Sequence, residues 1–255
     1  MIDIEKAAEI ADEAARGATA ISQFSDSMDM TIDEAYLVQA MSLERRYNRG
    51  ERQIGIKMGL TSRAKMQQVG VDEVIWGRLT NAMLVDDGGE IELSNYVHPR
   101  AEPEIAFLMK KPLSGPVSPA QAMAAVEAIA PAIEIIDSRY EDFKFSLADV
   151  IADNSSSSGF IVGPWVRPDI DTSNLGVVFE FDGRPVQIGS TAAILGHPAR
   201  SLAAGSRMLG ANMLTIEGGW IVMAGGVTAA EALRPGVHVL NTVESLGRVG
   251  FSVKA

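Results

Sequence analysis

The chain has 255 residues, 22 Lys+Arg against 33 Asp+Glu, a formal net charge of -11, 47% hydrophobic residues and no Cys. That length supports a sizeable core without metal or disulfide staples. The lack of Cys excludes a disulfide framework, a thiolate nucleophile and a thiolate metal site, and the acidic balance argues against a nucleic-acid partner.

The first segment reads as a helix, with Ile4, Ala7, Ala8, Ala11, Ala14, Ala15 and Ala18 at helical spacing. Its opening, Met1-Ile2-Asp3-Ile4-Glu5-Lys6, has neither the basic start nor the apolar centre of a signal peptide. No run of about eighteen apolar residues offers a membrane span, so a cytoplasmic globular protein is expected. Thr31 and Glu34 form a capping box for a second helix. Ser62 caps a short third helix that stops at Gly70, and Ser118-Pro119 with Gln121 opens a fourth, whose stripe runs through Ala122, Ala125, Val126 and Ile129.

From about residue 74 short β-like runs take over: 105–109, 133–136, 160–162, 177–181, 220–223, 237–240 and 249–253. Asp182-Gly183 is a two-residue hairpin signal. A further helix is expected from Pro198 to Leu209, with Gly210 after its end. The fold class is therefore α+β, with a helical region over residues 1–73 and a β-rich domain over 74–255. Without regular βαβ alternation, a doubly wound parallel sheet is disfavoured.

Glu102-Pro103-Glu104 leads into the apolar run 105–109. Residues two apart on a strand share a face, so the two carboxylates are either a paired site or a solvated face. Glu134 lies among Ala132, Ile133, Ile135 and Ile136. It is either a surface position on an alternating strand or a buried acid that must be paired, protonated or metal-bound. If it joined Glu102 and Glu104, a divalent cation would remove the repulsion, and all-oxygen ligands select a hard ion, Mg²⁺ or Mn²⁺. His98, His197 and His238 show no zinc-ligand spacing and read as turn, cap or surface residues. Asp137 is a turn former or a second acid, and Arg139 a surface Arg or a carboxylate partner. Lys57, between Gly55 and Gly59, either reaches an anionic substrate or is a turn Lys. Asn154-Ser155-Ser156-Ser157-Ser158, between two apolar runs, is a site loop or a tight connection. Neither a phosphate-binding loop nor a Gly-x-Ser-x-Gly elbow is present.

Taken together, Glu102-Pro103-Glu104-Ile105-Ala106-Phe107 and Pro131-Ala132-Ile133-Glu134-Ile135-Ile136-Asp137-Ser138-Arg139 resemble the fumarylacetoacetate hydrolase superfamily. Within it the chain is similar to the branch of vinylpyruvate hydratases and 2-oxo-diacid decarboxylases of the meta-cleavage pathway for aromatic compounds. The stretches 55–66, 74–80 and 138–147 place it on the decarboxylase side. Gly218-Gly219 departs from the Gly-Asp that many members carry.

The resemblance implies a β-rich mixed-sheet roll or barrel behind the N-terminal helices, with Mg²⁺ or Mn²⁺ on Glu102, Glu104 and Glu134. It implies decarboxylation of 2-oxohex-3-enedioate to 2-hydroxypenta-2,4-dienoate, the metal stabilising charge on the 2-oxo acid. The expected roles are Lys57 and Asp137 as catalytic groups, and Leu79, Arg139, Asn154, Ser158 and Thr228 as substrate contacts. A homo-oligomer and a complex with the homologous vinylpyruvate hydratase are the expected assemblies. The alternatives are hydration of the dienoate, acylpyruvate hydrolysis, or service mainly as the hydratase's partner subunit.

Overall fold

The structure, a computed structural model, describes residues 3–62, 66 and 73–254. The third helix expected from Ser62 to Gly70 lies almost wholly outside the described residues. Helix α1 (Ile4–Gly17) starts where Asp3 accepts from the Lys6 backbone N–H, and α2 (Ile32–Asn48) starts at the capping box of Thr31 and Glu34. The two pack side by side. Asp12, buried on α1, receives both Arg45 of α2 and Arg49, the residue that caps it, so its charge is met where water is excluded.

The expected boundary at 73/74 is crossed by the main sheet. Strand β1 (Gln53–Gly59) lies between β2 (Ile75–Thr80), antiparallel, and β10 (Ile221–Met223), parallel. The sheet continues through β5 (Arg100–Met109), β6 (Val126–Ile136), β7 (Ser157–Val162) and β3 (Leu84–Val85), with β11 (Glu231–Ala232) also on β5. A second sheet runs β4 (Glu90–Ile91), β13 (Gly247–Val253), β12 (His238–Val243), β8 (Gly176–Phe181) and β9 (Arg184–Ser190). The β8–β9 turn is Asp182-Gly183, both at positive φ (54° and 73°), which matches the strand twist of a tight hairpin. No helix among the described residues is long and apolar enough to cross a membrane.

Two sequence readings are corrected. The capped helix at Ser118 is only α3 (Pro119–Met123); Val126 and Ile129, read as its stripe, already belong to β6. An apolar run from 122 to 136 satisfies either period, and pairing with β5 over ten positions decides for the strand. Short helix α4 (Leu147–Ala152) was not anticipated, and α5 (Pro198–Ala211) runs through Gly210 instead of ending before it.

The faces of the large sheet differ in use. One face carries Ile56, Met58, Trp76, Ile105 and Phe107 into a core closed by Leu202 and Leu209 of α5. Further along, Ala101, Ile133, Ile135 and Ile161 pack against Phe179, Val239, Val249 and Phe251 of the second sheet. The opposite face holds Lys57, Glu102, Glu104 and Glu134 above a small apolar floor of Leu79, Ala106, Ala132, Phe160 and Met223. Asn241 of β12 reaches through the second sheet. Its Nδ2 donates to the backbone oxygens of Ala132 (2.8 Å) and Glu104 (3.3 Å), fully buried. Asn241→Ala should lower unfolding stability by about 2 kcal/mol, since buried carbonyl partners are left with fewer donors; urea denaturation with unchanged slope is the check.

Candidate active site

Strand alternation alone puts Glu102 and Glu104 on one face of β5, and the register pairs Glu102 directly with Glu134 of β6. All three side chains are buried, and one carboxylate oxygen of each lies within 4.8 Å of the others. Lys57 Nζ comes from β1, across β10 and β5, to 3.0 Å from Glu134 Oε2. Three strand spacings in a flat sheet amount to about 14 Å, so the contact requires the sheet to curl around this face.

Each acid has specific support. Glu104 Oε2 accepts the Gly225 backbone N–H at 2.8 Å. Gly225 sits at φ 111°, and a Cβ there would fall 2.1 Å from Thr61 Oγ1, so only Gly brings that N–H into place. The glycines beside Lys57 likewise serve the protein's own packing instead of a ligand. A Cβ on Gly55 would lie 2.0 Å from the Ile221 carbonyl oxygen, and one on Gly59 would meet the Ile75 side chain at 2.8 Å.

Among the described residues, Glu104 Oε1 and Glu134 Oε1 are buried with no hydrogen-bond partner. Burial, with the Glu134 and Glu102 charges adding to it, holds the Glu104 carboxyl well above the usual carboxylate range. Burial also pushes Glu134 up, against the pull of the Lys57 ammonium. Orphaned carboxylate oxygens converging in a buried, all-oxygen donor set fit a hard divalent cation such as Mg²⁺ or Mn²⁺.

A cleft of about 860 Å³ opens onto this cluster. Lys57 and Glu102 line its inner end, Ser155 and Ser156 one wall, and Arg100, Phe143 and Phe145 its outer part. Of the residues expected at the site, Lys57, Glu102, Glu104 and Glu134 converge. Leu79 is fully buried in the apolar floor on the same face, beneath the charged groups and outside the cleft lining.

The other candidates serve structure. Asp137 accepts backbone N–H groups from His98 (2.8 Å) and Val97 (2.9 Å) on its two oxygens; it anchors the turn into β5 and is not among the described residues lining the cleft. Arg139 gives Nε to Asp153, Nη1 to the Asp137 backbone oxygen and Ser158 Oγ, and Nη2 to the Asp153 backbone oxygen at 2.6 Å. It is buried and clamps Asp153 and the Asp137 backbone, it is absent from the described cleft lining, and the Ser158 hydroxyl is held by it. Burial raises the Asp153 carboxyl to about 6 even beside this guanidinium. Asn154 clasps the Arg78 backbone, accepting its N–H at 2.7 Å and donating to its oxygen at 2.9 Å. Thr228 Oγ1 donates to the Ala229 carbonyl at 3.2 Å; the adjacent Ala229 and Ala230 line the cleft in its place. His197 caps α5, as a cap reading requires. The serine tract, read as a site loop or a tight connection, does bring Ser155 and Ser156 to the cleft, whereas sequence reasoning missed Arg100, Phe143 and Phe145. Only the strand parity of Arg100 with Glu102 could have signalled one of them.

Residues 57–254 match the fumarylacetoacetate (FAA) hydrolase C-terminal family, and the chain belongs to it. It is 54% identical over 249 residues to a 4-oxalocrotonate decarboxylase of a Pseudomonas species, covering 98% of this chain and 97% of that one. A 2-hydroxyhexa-2,4-dienoate hydratase of Comamonas testosteroni is 33% identical, over 92% of this chain and 91% of its own. Among solved structures, 4-oxalocrotonate decarboxylase from Pseudomonas putida G7, complexed with magnesium and adipate, superposes with a TM-score of 0.95 at 38% identity, over 98% of this chain and 97% of that one.

The raised carboxyls carry a pH signature. Protons held in the metal-free folded state but released on unfolding contribute stability that is complete below about pH 4, the unfolded carboxylate range, and is lost as pH rises through the folded values. A cation displaces those protons. The rise in Tm on exchanging EDTA for Mg²⁺ should therefore be larger at about pH 8 than at about pH 5.5, and Glu104→Gln should flatten the difference.

Proposed function

We propose that this chain is a metal-dependent decarboxylase that converts 4-oxalocrotonate (2-oxohex-3-enedioate) to 2-hydroxypenta-2,4-dienoate and CO₂. The observation that carries the reading is the buried cluster of Glu102, Glu104 and Glu134 with Lys57 at 3.0 Å, at the closed end of a cleft. The near full-length similarity to 4-oxalocrotonate decarboxylases supports the choice of reaction within the family.

Glu102, Glu104 and Glu134 would hold the cation. When bound, it would act as a Lewis acid toward negative charge developing on a substrate oxygen. The remaining chemistry needs little from the protein. In 2-oxohex-3-enedioate the departing carboxylate sits on the saturated carbon next to the alkene, so the bond that breaks can feed its electron pair through the alkene into the ketone. The C–C bond breaks, CO₂ leaves, and the electron pair moves through the alkene to the 2-oxo oxygen as a dienolate; a proton from solvent on that oxygen then completes the 2-hydroxydienoate. Lys57, fixed by Glu134, places an ammonium beside that developing charge in a site of low dielectric, where it acts most strongly. The apolar floor keeps water from beneath the reacting carbons. Among the described residues, Glu102 is the sole carboxylate lining the cleft and no His lines it, which favours decarboxylation over hydration or acylpyruvate hydrolysis, both of which need an activated water.

The same reading places the enzyme in the cytoplasm, in the breakdown of aromatic compounds, as a homo-oligomer that passes its dienoate to a partner hydratase. The existence of hydratases of the same family supports the last point. The test is an assay on 2-oxohex-3-enedioate following CO₂ release with and without Mg²⁺. Release should require the metal. Glu102→Gln should lower kcat by at least about a hundredfold and raise the Mg²⁺ requirement, and Lys57→Met should lower kcat by about a hundredfold or more with little change in Mg²⁺ affinity. Metal-dependent hydration of 2-hydroxypenta-2,4-dienoate without CO₂ release would reassign the chain to the hydratase side.

A further inference from the structure

Arg100 opens β5, and strand parity sets it on the face that carries Glu102 and Glu104. It lines the cleft, and one two-residue step, about 7 Å, separates its backbone from that of Glu102. Its guanidinium rests on the Phe143 ring, 4.3 Å from the centroid. Among the described residues that guanidinium has no hydrogen bond or ion pair, so the ring contact orients it while leaving its N–H donors to the cleft.

Among the described residues lining the cleft, the other cations are committed. Lys57 pairs with Glu134 at 3.0 Å, and Lys144, largely exposed, lies 3.6 Å from Asp142. Among the described residues that line the cleft, Arg100 carries the one planar, forked cation for the far end of a six-carbon diacid held at the cluster.

We infer that Arg100 is the seat of the second carboxylate, and that with Phe143 it selects diacids over monoacids. This rests on the decarboxylase reading above and extends it to the substrate's far end. A guanidinium fork matches a carboxylate with two parallel hydrogen bonds. The carboxylate held there is the group that leaves, so the pairing fixes its plane before the bond breaks. Neutral CO₂ has no charge for Arg100 to retain, and the hold is released with the product.

The experiment is calorimetric binding of adipate and of hexanoate to the full-length Mg²⁺-loaded protein, for wild type, Arg100→Gln and Arg100→Lys. Hydrogen bonds to charged groups contribute about 1.5–3 kcal/mol, so wild type should prefer adipate by about tenfold to a hundredfold. Arg100→Gln should bring adipate to the hexanoate level while hexanoate affinity and Tm stay as in wild type. Arg100→Lys, which keeps the charge and loses the fork, should retain only part of the preference. If Arg100→Gln does not fold, a full preference in Arg100→Lys overturns the inference. It is equally overturned if Arg100→Gln keeps the preference, or if it loses hexanoate affinity in step with adipate. Failure of the decarboxylase reading shows separately, as wild type releasing no CO₂ from 2-oxohex-3-enedioate whatever its preference between the two acids.

Discussion

Three carboxylates enclosed within 4.8 Å of one another set the terms for the rest of the molecule. Ionised together, each pair would repel by about 3–4 kcal/mol even at an effective dielectric near 20, and burial adds desolvation. Three kinds of compensation suit such a cluster: protons, a hard cation, and fixed positive groups. The fixed groups are visible. Lys57 crosses a curled sheet to Glu134, and the Gly225 N–H is directed at Glu104. Neither would arrive in a flat sheet or with a side chain at residue 225, so backbone shape here follows from electrostatics.

The second sheet takes part although none of its residues lines the cleft. Asn241 ties the two strands that carry the acids by their main-chain oxygens. On the near side, the clamp of Arg139 on Asp153 and the anchor of Asp137 on the 97–98 backbone fix the ends of β6 and β5. Polar residues around this site act mainly by holding backbone, which leaves Lys57, Arg100 and the serine wall to face a ligand.

That division explains what was legible in the sequence. Glu102, Glu104 and Glu134 could be found because carboxylates inside apolar strands are conspicuous, and β alternation decides their face without tertiary information. Lys57 was found through its glycines, although those glycines make room for Ile221 and Ile75 and not for a ligand. Asp137 and Arg139 sit in a motif that marks the family and Asn154 and Ser158 in the serine tract, yet their partners, the 97–98 and Arg78 backbone, Asp153 and one another, are brought together by the fold and by no spacing rule. Arg100 looks like an ordinary strand-start residue until Phe143, distant in sequence, lies under it. The strands after residue 100 were mostly evident. Strand β1 was not, because two glycines in seven residues weaken a strand signal that its partners β2 and β10 restore.

The serine wall is built on unusual backbone. Asn154, Ser155 and Ser156 all have positive φ, at 50°, 54° and 59°, a conformation costing non-glycine residues roughly 1–2 kcal/mol each. Asn154 grips the Arg78 main chain and Ser155 donates to the Trp76 carbonyl at 2.9 Å, so the strained segment is stitched to β2 at two points. Glycines here would relax the backbone and discard both stitches. Thermal robustness and the shape of the cleft wall are therefore bound together at this tract, since a residue that eased the backbone would also lose the stitches that hold the wall to β2.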